Sequence, residues 1–244
     1  MEKILINGVG SGMQGVGRLE EGCVAFVPGA LPGEEAEIEI TKRAQRFCEA
    51  RLLRVCNPSP ERREPDCPAY GVCGGCQARH MSYSETLRLK RQRVFDALSR
   101  IGGVADPEVR ETIGCENPDR TRNKAEFPIG KDAKGRIVIG AYAENSRRIV
   151  PLRDCLLQRL PAVRALEYFS DHLNEMPGAS HFTNLVARVN RAGELMLILC
   201  ADAPLIDSAK KLLPELRHAL PELVSFYILK QNNRPAHALD GAVT

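Results

Sequence analysis

The sequence predicts a small N-terminal β-barrel followed by an α+β domain, and three observations support this fold class. The first 56 residues read as five short strands separated by turns, a pattern typical of a small closed barrel of the OB type. Later segments switch between helix-like and strand-like hydrophobic periods. Between the two parts, three closely spaced cysteines lie in a loop rich in Gly and Pro. We therefore expect two folded parts joined near a cysteine-bearing loop.

The composition narrows the classes of protein that the chain could be. The chain has 244 residues, enough for one large domain or two small ones. It lacks an apolar run of about 18 residues, so no transmembrane helix is expected. The first residues do not resemble a signal peptide. Nine cysteines without an export signal indicate a reducing compartment, so we predict a cytoplasmic protein that does not bind membranes.

The predicted barrel occupies residues 1–56. One strand, 36–40, alternates Ala-Glu-Ile-Glu-Ile at period two, as a half-buried strand does. Three cysteines lie in or beside the strands, and we interpret them as core or edge residues: Cys23, Cys48 and Cys56. The five predicted strands are 3–6, 16–19, 24–28, 36–41 and 47–55.

A glycine pattern inside the predicted barrel resembles a dinucleotide-binding fingerprint. Gly10, Gly12 and Gly15 fit G-x-G-x-x-G, and the acidic Glu34 follows at a suitable distance. Such a site requires a helix to begin at the glycines, but residues 16–22 contain two further glycines and form a poor helix. We therefore do not predict a nucleotide site here.

The central cysteines are the strongest chemical signal in the sequence. Cys67, Cys73 and Cys76 follow the spacing C-x5-C-x2-C, and Gly74 and Gly75 permit a tight turn between the last two. Three thiolates in one loop indicate a metal or iron–sulfur site that awaits a fourth ligand. Zinc is the alternative metal, but zinc ribbons usually pair two C-x2-C turns, and this chain has one. The spacing therefore favours an iron–sulfur cluster.

Two cysteines are candidates for the fourth ligand. Cys115 lies in a Gly-Cys-Glu-Asn-Pro segment, and Cys155 lies in the turn between a predicted strand and a predicted helix. Both positions are in loops, and the residues alone do not separate them.

Domain boundaries follow from composition. Residues 57–66 contain three prolines and no other apolar residue, so we predict a semi-extended linker. The α+β domain is predicted over 67–230. Its segments 77–103 and 118–153 have net charges of +4 and +5, whereas residues 1–56 have a net charge of −1. Basic segments beside an ordered site point to a polyanion such as RNA.

The first basic segment predicts a helix. Ser82 and Glu85 form a capping-box pattern, and the helix is expected to end at Gly102. Its apolar stripe is predicted at Leu87, Val94, Leu98 and Ile101. Arginines on and before the helix are predicted to contact phosphates, namely Arg79, Arg88 and Arg91. For His80 a capping or solvent-exposed position is favoured over a ligand role.

The second basic segment predicts a strand at 120–127 that pairs with another at 135–143. Alternation would place Arg120, Arg122 and Lys124 on one face, where they either bind phosphate or are simply exposed. Further along, helices are predicted at 161–174 and 206–220. Strands are predicted at 185–189, 194–200 and 223–230.

The chain resembles the bacterial RNA (uracil-5-)-methyltransferase family. Residues 1–56, with Phe-Val-Pro-Gly-Ala-Leu-Pro-Gly-Glu at 26–34, resemble its TRAM domain, and the C-x5-C-Gly-Gly-C-Gln run resembles its iron–sulfur motif. Arg-Asn-Lys at 122–124 and Cys-Leu-Leu-Gln at 155–158 match two later signatures. The resemblance implies a [4Fe-4S] cluster bound by four cysteines: Cys67, Cys73, Cys76 and Cys155.

The resemblance also carries functional expectations. It implies a monomer that binds structured RNA, 23S rRNA before tRNA, and S-adenosylmethionine as methyl donor in a Rossmann-like domain. Because no glycine-rich cofactor loop and no cysteine matching the family nucleophile are evident, we expect that domain to be absent. Residues 231–244 would then begin the connection to it, and the chain alone would be an inactive RNA-recognition part. The alternative is a free-standing, non-catalytic iron–sulfur or zinc RNA-binding protein. Thr121 replaces an aromatic residue that the family often has before Arg-Asn-Lys.

Overall fold

The computed structural model describes residues 1–203, 205–231 and 242–243, and these form two compact units. The first unit contains Met1–Gly71 and Cys76–Glu116, and the second contains Val72–Gly75 and the chain from Asn117 onward. Most of the segment predicted as a domain connection, 231–244, lies outside the described residues. In the part of the chain that is described, no helix is long and apolar enough to cross a membrane.

The first unit contains a closed five-stranded barrel within its described residues. The neighbour order is β1-β2-β3-β5-β4, and β1 pairs with β4 to close the ring. The pair β3–β5 is parallel, and the other pairs are antiparallel. This arrangement confirms the five predicted strands. Their bounds are β1 (Glu2–Val9), β2 (Gly15–Arg18), β3 (Val24–Val27), β4 (Glu35–Arg43) and β5 (Phe47–Asn57).

Alternating side chains fill the barrel interior. Ile4, Ile6 and Ile38 are each at most 3% exposed and form part of one apolar cluster. Cys48 belongs to the same cluster, and its Sγ lies 2.9 Å from the Sγ of Cys23. Cys48 is buried in the core and Cys23 packs half-buried against it, which confirms the prediction that these two cysteines are core or edge residues.

A helix follows in the first unit. Helix α1 (Tyr83–Asp96) continues into a π-helical turn over Ala97–Ile101. The Ser82 hydroxyl accepts a hydrogen bond from the Glu85 N–H at 3.1 Å, which confirms the predicted N-terminal cap.

The predicted apolar stripe of α1 is wrong. Leu89 and Glu85 are the buried residues of the helix, whereas Val94 is 50% exposed and Ile101 is 88% exposed. Glu85 lies inward and pairs with Arg88, so the face that packs carries a salt-bridged carboxylate. A hydrophobicity pattern alone does not identify such a face.

The second unit is built on a seven-stranded sheet, counted over the described residues. The strand order is β12-β11-β10-β9-β6-β7-β8. The pair β10–β11 is parallel, and all the other pairs are antiparallel. The strands are β6 (Lys124–Lys131), β7 (Ile137–Tyr142), β8 (Ile149–Pro151), β9 (Phe182–Val189), β10 (Leu195–Ala201), β11 (Leu223–Lys230) and β12 (Ala242–Val243).

Two helices belong to this sheet unit. Helix α2 (Leu160–His172) begins with Pro161 in its first turn, and its inward positions Val163, Leu166 and Phe169 are buried as predicted. Helix α3 (Ile206–Ala219) connects β10 to β11, which lie parallel. A parallel pair joined through a helix is a βαβ crossover. The sequence predicted an α+β layer without this crossover, because the periodicity of a strand does not specify which strand it pairs with.

Candidate nucleic-acid interface

The loop with the cysteine motif is held by backbone hydrogen bonds. In the second unit, Cys73 forms an isolated bridge with Ala143, and the Gly74 N–H donates to the Tyr142 carbonyl at 3.0 Å. The Gly75 N–H donates to Cys73 Sγ at 3.4 Å.

The four predicted cluster ligands are divided between the two units. Cys67 and Cys76 lie in the first unit, and Cys73 and Cys155 lie in the second. All four are partly exposed thiols. Within residues 1–203, 205–231 and 242–243, no group of three or more His, Cys, Asp or Glu side chains is arranged to hold a metal. The [4Fe-4S] assignment therefore stays a prediction.

The two candidates for a fourth ligand occupy different surroundings. Cys115 is exposed in the first unit, and its N–H donates to the Tyr83 hydroxyl at 2.8 Å. Cys155 is half-buried in the turn before α2, and its carbonyl accepts a hydrogen bond from Arg120 at 2.8 Å.

Two of the arginines predicted to bind RNA in the first unit form ion pairs. Arg79 makes two hydrogen bonds to Asp66, at 2.6 and 2.7 Å, and these bonds lower the pKa of that carboxyl. Arg88 makes two 2.7 Å bonds to Glu85. Arg91 donates instead to the Val109 carbonyl at 2.8 Å. A phosphate would have to share or replace these partners.

The predicted basic strand begins later than expected. Strand β6 begins at Lys124, so Arg120 and Arg122 precede it. Arg120 has φ +58° and its guanidinium bonds Asp154 at 2.6 and 2.9 Å, lowering the pKa of that carboxyl. A bridge from Arg122 to Gln158 aligns this segment with the chain before α2. The local pairing with residues 156–158 therefore replaces the strand that alternation predicted.

The remaining cations differ in how far their charges are compensated. Lys124 Nζ lies 2.5 Å from the Glu126 carboxylate. Arg122 is exposed, and its side chain makes no ion pair within the described part of the chain. Arg122 is thus the most available cation of this predicted set of three.

A buried polar network in the first unit was missed by the sequence analysis. Glu34 is fully buried and accepts bonds from Arg62 at 2.6 and 2.7 Å, and from the N–H groups of Leu31 and Ser59 at 2.8 and 3.1 Å. Burial alone would raise the pKa of Glu34, but these donors together lower it. Arg62 lies in the segment predicted as a linker, and nothing in its sequence identifies an internal partner.

His80 belongs to the same region and is buried, whereas the sequence favoured a capping or solvent-exposed position. It is 2% exposed, and its Nδ1 lies 2.5 Å from the Tyr70 hydroxyl. Nε2 has no hydrogen-bond partner among the described residues. Burial, and then the nearby charge of Arg62, lower the pKa of His80 to about 4. A His at the end of a cysteine loop gives no sequence signal of burial.

Comparison with known proteins first defines the class of the barrel. Residues 2–53 match the family model of the TRAM domain. This match agrees with the five-stranded closed barrel described above.

Almost the whole chain, including the barrel, is similar to RNA methyltransferases. A protein from Clostridium tetani named as an uncharacterized RNA methyltransferase is 36% identical over 98% of this chain and 53% of its own length. One from Listeria monocytogenes is 33% identical over 91% of this chain and 50% of its own length. The chain thus spans about half the length of the curated relatives it matches.

A solved structure shares the fold. The crystal structure of Pyrococcus abyssi tRNA (uracil-54, C5)-methyltransferase in complex with S-adenosyl-L-homocysteine matches with a TM-score of 0.66 and 19% identity. The match covers 99% of this chain and 54% of that one. At this identity the likeness establishes the fold.

Three predictions made from the sequence are wrong. They are a fold class from which the methyltransferase domain is absent, a function limited to RNA recognition or to non-catalytic binding, and an inactive chain. RNA methyltransferases match 98% of the chain, and a methyltransferase structure covers 99% of it. The second sheet, with its parallel pair across α3, lies within the part of the chain that this structural match covers. These predictions were based on the absence of a glycine-rich cofactor loop and on the position at which the sequence ends. Neither observation determines the fold.

Proposed function

We propose that the chain works as an S-adenosylmethionine-dependent RNA methyltransferase that modifies C5 of a uracil in structured RNA. The observation that carries this proposal is the match of almost the whole chain to a tRNA (uracil-54, C5)-methyltransferase structure. Similarity to RNA methyltransferases over 98% of the chain supports the same activity. S-adenosylmethionine would supply the methyl group that is transferred.

The chemistry of methyl transfer to uracil C5 determines which steps the protein must carry out. Uracil C5 is unreactive until a nucleophile adds to C6, and the C5 proton must leave after the methyl group arrives. A base inside a folded RNA also has to be taken out of its stack before either step. RNA positioning is therefore a large part of catalysis for such an enzyme.

For the RNA partner, we propose 23S rRNA in preference to tRNA. Phosphate contacts are proposed for the predicted basic residues, Arg79, Arg88, Arg91, Arg120, Arg122 and Lys124. Exposure supports two of these contacts, because the Arg88 side chain is 56% exposed and Arg122 is also exposed. Arg122 in addition makes no ion pair in the described chain. Phosphate contacts of this kind make affinity fall steeply as salt rises.

Methyl transfer tests the proposed activity directly. The protein is incubated with radiolabelled S-adenosylmethionine and either 23S rRNA or tRNA transcripts, and nucleosides are identified by mass spectrometry. We expect 5-methyluridine, with more label in 23S rRNA. A matched control transcript made with 5-methyluridine at every uridine should accept no label. Label on another base, or no transfer to either RNA, would contradict the proposal.

The [4Fe-4S] cluster is a separate proposal that rests on the cysteine spacing. We propose Cys67, Cys73, Cys76 and Cys155 as its ligands, and the hydrogen bonds of the Gly74 and Gly75 N–H groups, which hold the loop at Cys73, are consistent with an ordered ligand loop. Iron, sulfide and visible absorbance are measured after purification without oxygen. Cys73→Ser should remove the absorbance, whereas Cys56→Ser, in β5, should keep it. Zinc in place of iron, or colourless wild-type protein without metal, would refute the cluster.

A further inference from the structure

A cleft in the first unit lies between the barrel and helix α1. Its volume is about 590 Å³. Strands β1 and β2 form one side, including Gly8 and Arg18, and α1 with its π-helical turn forms the other. Ligand pockets commonly span about 300–1,000 Å³, so the cleft is large enough for a nucleotide.

Arginine dominates the charged lining of this cleft. Arg18, Arg88, Arg93 and Arg100 all line it, and Asp96 is the one carboxylate among its lining residues. Arg88 is paired with Glu85, and Arg100 lies 3.6 Å from Asp96 with its side chain 79% exposed. The cleft therefore has a net positive charge even after these pairs are counted.

Two of these guanidinium groups have no carboxylate partner within the described residues. Arg18 donates to the Gly22 carbonyl at 3.1 Å, and Arg93 approaches Met13 Sδ at 3.8 Å. Neither contact neutralises a charge. By contrast, Arg51 and Arg54 on the same barrel pair with Glu39 and Glu37. Uncompensated guanidinium groups are thus placed at the cleft.

We propose that this cleft binds the sugar–phosphate backbone of single-stranded RNA, with Arg18 and Arg93 as the phosphate ligands. Guanidinium groups match phosphate oxygens in geometry and charge, which makes arginine the preferred side chain for such contacts. The inference rests on the proposed RNA-modifying function and adds a binding site to it. Neither arginine belongs to the RNA-binding residues predicted from the sequence.

Gly8 offers a way to block the cleft without altering its charge. A Cβ built on Gly8 would meet no atom within 4 Å, so a side chain there would extend into open space. We therefore expect Gly8→Leu to fill part of the cleft while leaving the barrel packed. This variant separates the shape of the site from its electrostatics.

Binding of a fluorescein-labelled oligouridylate to the full chain tests the proposal. Arg18→Gln/Arg93→Gln should weaken binding at least about tenfold and reduce the salt slope by about 1.4, since each single-strand phosphate contact contributes about 0.7. Arg51→Gln/Arg54→Gln removes the same total charge outside the cleft and should change affinity less than about threefold. Gly8→Leu should weaken binding with the salt slope unchanged. Circular dichroism verifies that each variant is folded.

The outcomes separate this site from the proposed function. If the wild-type chain does not bind RNA, the proposed function fails. If wild-type binds and both double variants bind equally well, the proposed function stands and the cleft is not the site. If Gly8→Leu does not fold, the matched pair of arginine variants still decides the question.

Discussion

At the scale of single residues, the Glu34–Arg62 ion pair holds a buried carboxylate within a network of hydrogen bonds. Glu34 is fully buried, and both of its carboxylate oxygens accept hydrogen bonds from Arg62. Arg62 also donates to the Gly29 carbonyl at 2.7 Å. The pair therefore attaches the proline-rich segment after the barrel to the turn between β3 and β4. A buried charge that loses its partner is left without compensation.

Replacement of Glu34 should be costly for this reason. We expect Glu34→Gln to lower the free energy of unfolding by about 3 kcal/mol, because the Arg62 charge loses its partner in a largely buried site. Urea unfolding followed by circular dichroism measures the change. Glu39→Gln breaks the exposed pair with Arg51 and should cost much less. Equal losses in the two variants would show that burial of the Glu34 pair has no special effect.

At the scale of elements, the β1–β2 pair shows how closely the barrel strands approach. Gly17 lies opposite Ile6, and a Cβ on Gly17 would lie 2.4 Å from the Leu5 carbonyl oxygen. Gly8 lies opposite Val16 in the same pair of strands, with open space at its Cβ position. Two glycines on neighbouring strands thus have opposite steric surroundings.

Alanine at these two glycines should have different effects. Gly17→Ala should destabilise the chain by about 1–3 kcal/mol, because backbone atoms would have to move to admit the methyl group. Gly8→Ala should be nearly neutral, since it meets no atom. Thermal unfolding of both variants measures the difference. A similar melting temperature for the two would indicate that the barrel relaxes around Gly17 at little cost.

Sequence reasoning identified most elements because they depend on local patterns. The five barrel strands follow from turns and period-two alternation, and the start of α1 follows from the Ser82 cap, which local hydrogen bonding determines. Sequence reasoning failed where a residue distant in the chain determines the local structure. Arg120 leaves the predicted strand to bond Asp154, and β10 pairs in parallel with β11 across α3. Neither partner can be read from nearby residues.

The candidate sites also differ in whether they depend on a local sequence pattern or on residues far apart in the chain. The cysteine spacing is local and was recognised, although its ligand set remains a prediction. Of the cleft arginines, Arg18 and Arg93 were not selected, because they are 75 positions apart and meet through folding of the first unit. Basic charge along the chain indicated the class of partner but did not indicate which arginines remain unpaired.

At the scale of the whole molecule, titratable groups define a pH range of stability. His80 has a pKa of about 4 in the folded chain against an ordinary value of 6.5. The unfolded chain therefore binds the proton more readily, and stability falls as pH drops from 6.5 toward 4. Burial raises the pKa of Cys200 to about 12 from 9.0, so stability falls again as pH rises above 9. Maximum stability is expected between these limits.

Unfolding measured as a function of pH should show the His80 contribution. His80→Asn removes the titrating group, so its loss of stability between pH 6.5 and 4 should be smaller than that of wild-type by about 3 kcal/mol. His218→Asn, the same substitution at an exposed position of α3, is the matched control. Parallel curves for wild-type and His80→Asn would contradict the assigned pKa.

The burial of cysteines has a practical consequence for attaching probes. Cys48 is 1% exposed, and its hydrogen bond with Cys23 raises the pKa of its thiol, so alkylating reagents have little access to its thiolate. Cys115 is exposed beside helix α1. A maleimide dye at low excess should therefore modify Cys115 well before Cys48. Attachment at Cys115 would give a spectroscopic reporter in the first unit without disturbing the barrel interior.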